Sequence, residues 1–318
     1  MLRILLCLLV LSFASCDRAP KTPVVTTSNL HLEQTKDHIR ILHADAPVLE
    51  YRITSGKSEG LPAHYERTGF LHPIYSPSGQ VVTDDFPAGY AHQHGLFTAW
   101  TNTTFRDSFV DFWNTQKGLA TVRHEEVLET METDGFLGFK TKLTHFSLVH
   151  DSLPVLDERY TVRVHDRDDV FVWDFRSEQR NVTEDTLFLN KHLYGGLGIR
   201  GSKHWNAADS THFLDSANFL TSEGLTRADA NHSRPDWTAI YGELPGGTAG
   251  LVVIPHPDNF RAPQPVRVHP ELPYCSVSPV VEEGFTLLPG ELYVMRYRVV
   301  VFDGGMEELL PVINELTY

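Results

Sequence analysis

The sequence predicts an all-β fold, a large antiparallel sandwich with a short C-terminal helix. Three observations predict it. Apolar and polar residues alternate with period two along much of the chain, turn-forming Pro, Gly and Asp interrupt the alternation at short intervals, and a 3.6-residue apolar stripe appears once, near the end. Many strands without helical patterns between them pair antiparallel rather than through parallel crossovers.

The first expected strands are 39–42 and 48–53, divided by Ala46-Pro47. Strands at 118–128 and 139–149 flank Thr133-Asp134-Gly135. In 159–165, Tyr160, Val162 and Val164 alternate with Arg159, Thr161, Arg163 and His165, which puts the apolar groups on one face. Segments 170–176, 238–244 and 250–254 read alike, and in 292–301 Tyr293, Met295, Tyr297 and Val299 form the apolar set. The stretch 206–236 is long and polar, an excursion from the sandwich. The helix is expected at 306–316, where Met306, Leu309, Leu310, Ile313 and Leu316 make one apolar stripe.

Residues 1–15 read as a lipoprotein signal peptide: Arg3, an apolar run over 4–10, then Ala14 and Ser15. The run is too short for a membrane-spanning helix, which needs about 20 apolar residues. Phe13-Ala14-Ser15-Cys16 resembles the lipobox of bacterial lipoproteins, so Cys16 is the expected lipidation site and 16–27 a flexible tether before one β-sandwich domain over 28–318. The expected location is exported, as a periplasmic or outer-membrane lipoprotein that meets the membrane through that anchor only. Of three cysteines, Cys275 alone falls within the domain, which excludes a disulfide there and leaves stability to apolar burial. A formal net charge of -14 with no basic run argues against nucleic acid as a partner and leaves a saccharide or glycoside open.

Chemistry-bearing residues concentrate in 69–113, which holds His72, Asp84, Asp85, His92, His94, Trp100, Asp111 and Trp113. His92 and His94, two apart, would share a strand face and could flank one hydroxyl or one metal ion. Asp111 could bind paired hydroxyls while Trp113 covers a sugar ring, although core packing explains either indole equally well. In 191–200, three glycines either admit a ligand or bulge a strand, with Lys191, His192, Tyr194 and Arg200 as donors. His256 is a candidate general acid beside Asn259 and Arg261, in a segment that a simple turn also explains.

The runs His72-Pro73-Ile74-Tyr75, Asp85-Phe86-Pro87, His92-Gln93-His94-Gly95-Leu96, Val110-Asp111-Phe112-Trp113, Tyr194-Gly195-Gly196-Leu197-Gly198-Ile199-Arg200 and Ile254-Pro255-His256-Pro257-Asp258-Asn259 resemble the bacterial PmoA-like family of exported β proteins. Gln93 stands where relatives commonly carry His, and Phe97 where Trp is common. The resemblance implies a galactose-mutarotase-like β-supersandwich and a carbohydrate context. The methane-oxygenase label in the family's name does not fit a chain with one short apolar run.

The expected function is that of an exported carbohydrate-active protein, leaning towards an enzyme, that binds and transforms a saccharide by epimerase-, lyase- or hydrolase-type acid/base chemistry. The expected catalytic residues are His72, His92, His94 and His256; the expected substrate-binding residues are Asp111, Trp113, Lys191, His192, Tyr194, Arg200, Asn259 and Arg261. No cofactor is expected. The alternatives are a noncatalytic glycan-binding surface lipoprotein and a metal-dependent glycoside hydrolase or lyase with a divalent ion on His72, His92, His94 and Asp111.

Overall fold

The computed structural model describes residues 28–56 and 60–318, so the expected signal peptide, Cys16 and tether lie outside the described residues. The first strands are β1 (Leu30–Gln34), β2 (His38–His43), β3 (Ala46–Arg52), β4 (Leu71–Ile74), β5 (Leu96–Ala99), β6 (Thr103–Phe105) and β7 (Ser108–Val110). Long strands follow as β8 (Ala120–Glu132), β9 (Phe136–Ser147), β10 (Leu153–His165) and β11 (Phe171–Asn181), then the short β12 (Leu187–Leu189), β13 (Gly196–Arg200) and β14 (Asn218–Thr221). The chain continues through β15 (Thr238–Leu244), β16 (Gly247–Pro255), β17 (Val266–Val268), β18 (Tyr274–Val277), β19 (Phe285–Leu287) and β20 (Leu292–Asp303) to α1 (Met306–Leu316).

All paired strands run antiparallel. They form one eight-stranded sheet ordered β1-β2-β3-β4-β5-β13-β18-β17, a second ordered β14-β15-β16-β20-β11-β10-β9-β8, and a four-stranded sheet β19-β12-β6-β7. The all-β supersandwich with one short C-terminal helix is therefore the observed architecture. The polar excursion at 206–236 supplies β14, an edge strand of the second sheet whose Phe219 and Thr221 are buried; Asn218, Phe219, Leu220 and Thr221 alternate too briefly to stand out by period alone.

The two large sheets face each other across an apolar core. Its period-two logic is plain at Tyr160, Val162 and Val164, all buried, and at Tyr51, whose ring meets Phe139 at 5.5 Å and Tyr160 at 6.3 Å. The opposite face of the second sheet is apolar as well. Val172, Val300, Val252 and Ala239 are paired in register across four strands, and α1 covers them with Met306, Leu309, Ile313 and Leu316. Burial of each of the larger helix side chains stabilises by roughly 2 kcal/mol, which holds an 11-residue helix that would be marginal in isolation. Leu310, expected in the same stripe, is half-buried at its edge.

One polar cluster interrupts the core. Glu158 of β10 is fully buried, and its carboxylate accepts from Thr98 Oγ1 at 2.6 Å, Gln179 Nε2 at 2.9 Å and the Ser177 hydroxyl, while its other oxygen meets His145 Nε2 at 2.7 Å. Burial alone would raise the Glu158 carboxyl; the bonds from His145, Ser177 and Thr98 outweigh it and hold the group below its usual range.

Candidate functional site

In an antiparallel ladder, residues directly opposite each other point to the same side. Gly198 lies opposite Phe97 and Ser276, Arg200 opposite Tyr274, and Arg267 opposite Ser276. Phe97, Gly198, Arg200, Arg267 and Tyr274 thus share one face of the first sheet. Thr98 points the other way, to Tyr160 of the second sheet at 2.7 Å, so the shared face is the outer one.

On that face lies a cleft of about 250 Å³ lined by Tyr90, His92, Gln93, Trp113, Asn114, Gln116, Tyr194, Arg267, His269, Leu272 and Tyr274. Trp113 is its aromatic centre, 4.6 Å from Phe97, 5.4 Å from Tyr194 and 6.1 Å from Tyr274, ring centre to ring centre. The indole reaches this place because residue 198 has no side chain: a Cβ there would stand 2.5 Å from the Trp113 ring. Gly195 and Gly196, at φ 148° and 106°, shape the entry into β13.

The loop carrying Trp113 is fixed from behind. Asp111 Oδ1 accepts from the backbone N–H groups of Trp113 (3.1 Å) and Asn114 (2.8 Å), and Oδ2 accepts from Asn114 Nδ2 (2.9 Å) and Lys117 Nζ (2.6 Å). This corrects the expectation that Asp111 binds hydroxyls: it is fully buried with its oxygens engaged, and acts through Asn114, whose Oδ1 accepts from Tyr194 Oη at 3.2 Å. His192 likewise stands behind Tyr194, ring against ring at 4.6 Å.

Two imidazoles enter the cleft. Burial pushes His92 down to about 4, with the charges of His94, Arg200 and Lys117 adding to the effect against Asp111, so at neutral pH it is an uncharged acceptor. His269 follows β17, and its Nδ1 accepts the backbone N–H groups of Glu271 (3.1 Å) and Leu272 (3.0 Å), which places its proton on Nε2. Burial, then Arg267, lowers its pKa. His269 and Arg267 were missed in the sequence, although Val266-Arg267-Val268-His269 alternates and marks both as one face of a strand.

Arg200 is fully buried under the cleft wall. Its Nη1 donates to Gln93 Oε1 at 2.8 Å and its guanidinium lies 5.9 Å from the Tyr90 ring, while Nε and Nη2 have no partner among the described residues. Burial pushes it down to about 10 against the pull of Asp84.

The other expected histidines do not join this cleft. Residues 92–95 lie in irregular backbone ahead of β5 and not on a strand, so the two-residue spacing does not give a shared face. His94 goes inward, stacked on Phe70 at 4.5 Å, with Nδ1 on Asp85 Oδ1 at 2.6 Å. Burial holds that imidazole well below its usual range and pushes Asp85 up to about 7.

His72 lines a separate hollow of about 540 Å³ with Thr83, Asp84, Lys203 and His204. That hollow is larger, but much of its hydrogen-bonding capacity is engaged internally: Gln80 with Gly246 N and Gly247 O, Thr83 with His72 and Ile74 N, and His204 with His212 O. His256 is elsewhere again, against Tyr318 at 4.4 Å. Asn259 bonds the backbone of Arg296 through both ends of its amide, and Arg261 donates to the carbonyls of Pro279, Glu283 and Gly284, so both hold loops. Lys191 is exposed and lines neither hollow. Among the described residues, no group of three or more His, Cys, Asp or Glu is arranged to hold a metal ion. His72, His92, His94 and Asp111 are thus not gathered into a shell.

Residues 38–309 match a protein-family model described as a family of unknown function, DUF6807. No curated protein matches the chain. Among solved structures, the GH36 α-galactosidase AgaA from Geobacillus stearothermophilus is similar at 9% identity and TM-score 0.38, over 87% of this chain and 41% of that one. A heparan sulfate lyase HepC mutant from Pedobacter heparinus gives 10% identity and TM-score 0.34, over 88% of this chain and 36% of that one. A mutarotase-like protein, YeaD, from Salmonella typhimurium gives 10% and 0.36, over 86% of this chain and 94% of that one. The chain therefore spans about two fifths of the length of the α-galactosidase it matches. These overlaps are too loose to bear on function, and the architecture rests on the strand pairing itself.

Proposed function

The chain belongs to the DUF6807 family, whose function is unknown, and from that premise we propose that the Trp113 cleft binds a saccharide and transforms it by acid/base chemistry. The observation that carries this reading is the lining: the four aromatic rings of Tyr90, Trp113, Tyr194 and Tyr274, two uncharged imidazoles and the Asn114 and Gln93 amides meet in one hollow on the sheet. Indole and phenol rings cover the apolar face of a sugar, and the amides and imidazoles bond its hydroxyls. In this reading His92 takes a proton from a hydroxyl or a ring carbon, and His269 Nε2–H donates to a ring or carbonyl oxygen. The lining residues include no carboxylate, which favours isomerase or lyase chemistry over hydrolysis by a pair of acids. The PmoA-like motifs and the galactose-mutarotase-like supersandwich they imply support the same carbohydrate setting.

We further propose that the protein is exported and anchored through lipid on Cys16. Labelled fatty acid should enter the wild-type chain and not Cys16→Ala; equal labelling overturns the anchor. For the cleft, the protein is incubated with free, glycosidic and keto sugars while products and protein resonances are followed by NMR. Turnover abolished by His92→Ala supports the proposal. Binding without turnover of any sugar leaves a noncatalytic glycan-binding protein, and neither binding nor turnover removes the carbohydrate reading.

A further inference from the structure

The cleft has a charge as well as a shape. Its lining includes Arg267 and no Asp or Glu. Arg267 is half-buried and donates through Nη1 to the neutral Asn231 Oδ1 at 2.8 Å, with no ion pair to a carboxylate among the described residues. Behind the wall, Arg200 is a second guanidinium, fully buried; among the described residues its Nε and Nη2 lack partners and its side chain bonds only Gln93 of the cleft. Arg227 Nη1 donates to the carbonyls of His269 and Leu272, adding a third cation near the same rim.

The nearby acids do not cancel Arg267, the cation on the lining itself. Asp111 is matched by Lys117 at 2.6 Å, and Glu271, next to His269, is exposed to solvent. Asp84 faces Arg200 from the side of the other hollow and, although burial raises it to about 6, it is mostly ionised at neutral pH and offsets Arg200, which leaves Arg267 as the cation that the cleft itself presents. A buried guanidinium with unmet donors is costly on its own and gains most from an anion close by. The overall charge of -14 does not prevent this, because at physiological salt the field of distant carboxylates decays over about 8 Å.

We propose that the saccharide taken by this cleft is anionic, its carboxylate or sulfate lying against Arg267 while its ring covers Trp113. The inference rests on the saccharide reading above and sharpens it to a substrate class. Recognition of a planar or tetrahedral oxyanion by a guanidinium fork supplies both affinity and orientation.

The test is calorimetric titration of the full chain with D-galacturonate, D-galactose 6-sulfate and D-galactose, and with the matching gluco series, at low and high salt. At least one anionic sugar should bind about tenfold or more tightly than its neutral counterpart, a charge-assisted bond being worth at least that factor. Salt should narrow the gap. Arg267→Gln should erase it and Arg267→Lys should restore part of it, with both variants retaining the thermal transition of the wild type. A tighter uronate identifies a carboxylate and a tighter sulfated sugar a sulfate; both support the inference. Equal binding of neutral and anionic sugars overturns it while the saccharide cleft stands. Absence of binding by all of them overturns both.

Discussion

Two polar regions lie back to back on β5. Thr98 turns towards the sealed cluster around Glu158, and its neighbour Phe97 turns towards the Trp113 cleft. In the sealed cluster a histidine and a glutamate meet with hydroxyls and an amide filling the remaining acceptor positions, and neither His145 nor Glu158 is exposed. In the cleft, His269 is anchored by the backbone on one nitrogen, and the other has no hydrogen-bond partner among the described residues. His92 has no ring hydrogen bond among the described residues. The lesson is that a histidine beside an acid marks structure as readily as chemistry; what distinguishes the two is where the second nitrogen ends.

The sharpest way to break the contrast is Glu158→Ala. It strips the partner from buried His145 and should cost about 3–5 kcal/mol in chemical denaturation, while sugar affinity at low temperature stays within twofold of wild type. A large loss of affinity in folded protein would show that the two faces are not independent. His92→Ala should do the reverse: turnover falls about a hundredfold, and stability changes by less than about 1 kcal/mol. Gly198→Ala addresses the strand between them. The new methyl group meets the Trp113 ring, so the variant should lose about 2 kcal/mol and shift its tryptophan emission, with weaker sugar binding as the accompanying readout.

The smallest effects come from pH. His92, lowered to about 4, should show one flat region in kcat/KM from neutral pH down to about 5 and an acid limb near 4, read alongside its own NMR titration. A midpoint near 6.5 would mean that the ring is fully hydrated, against the cleft as described. His92 takes a proton less readily when folded, so the unfolded chain binds protons first as pH drops from about 6.5 towards 4, and the fold weakens across that window. Glu158 acts in the same direction at lower pH, since its depressed pKa stabilises the fold above the unfolded value and the contribution disappears as acid protonates it.

Much of the sheet architecture was legible because alternation is a local signal. Residues 238–244 coincide with β15, the helix bounds coincide with α1, and the apolar set of β20, Tyr293, Met295, Tyr297 and Val299, is buried. The cleft was legible only in part. His92, Trp113 and Tyr194 were found because each sits in a dense motif, and Arg200 was found in kind but not in place, since it lies under the wall. Asn114, Arg267, His269 and Tyr274 were not found. Their convergence depends on β13, β17 and β18 pairing side by side, a long-range fact that spacing within one segment does not contain. His256 and Asn259 show the opposite error: a dense local motif whose polar groups serve a turn.

The C-terminal helix gives the sandwich a back and a front. With its apolar stripe pressed on the far layer, α1 covers that face of the second sheet, whereas the near layer exposes a basin floored by the main chain of a central strand. A ligand for the proposed site therefore approaches from the side of the sandwich away from α1, and an attachment made at the helix end leaves that approach open.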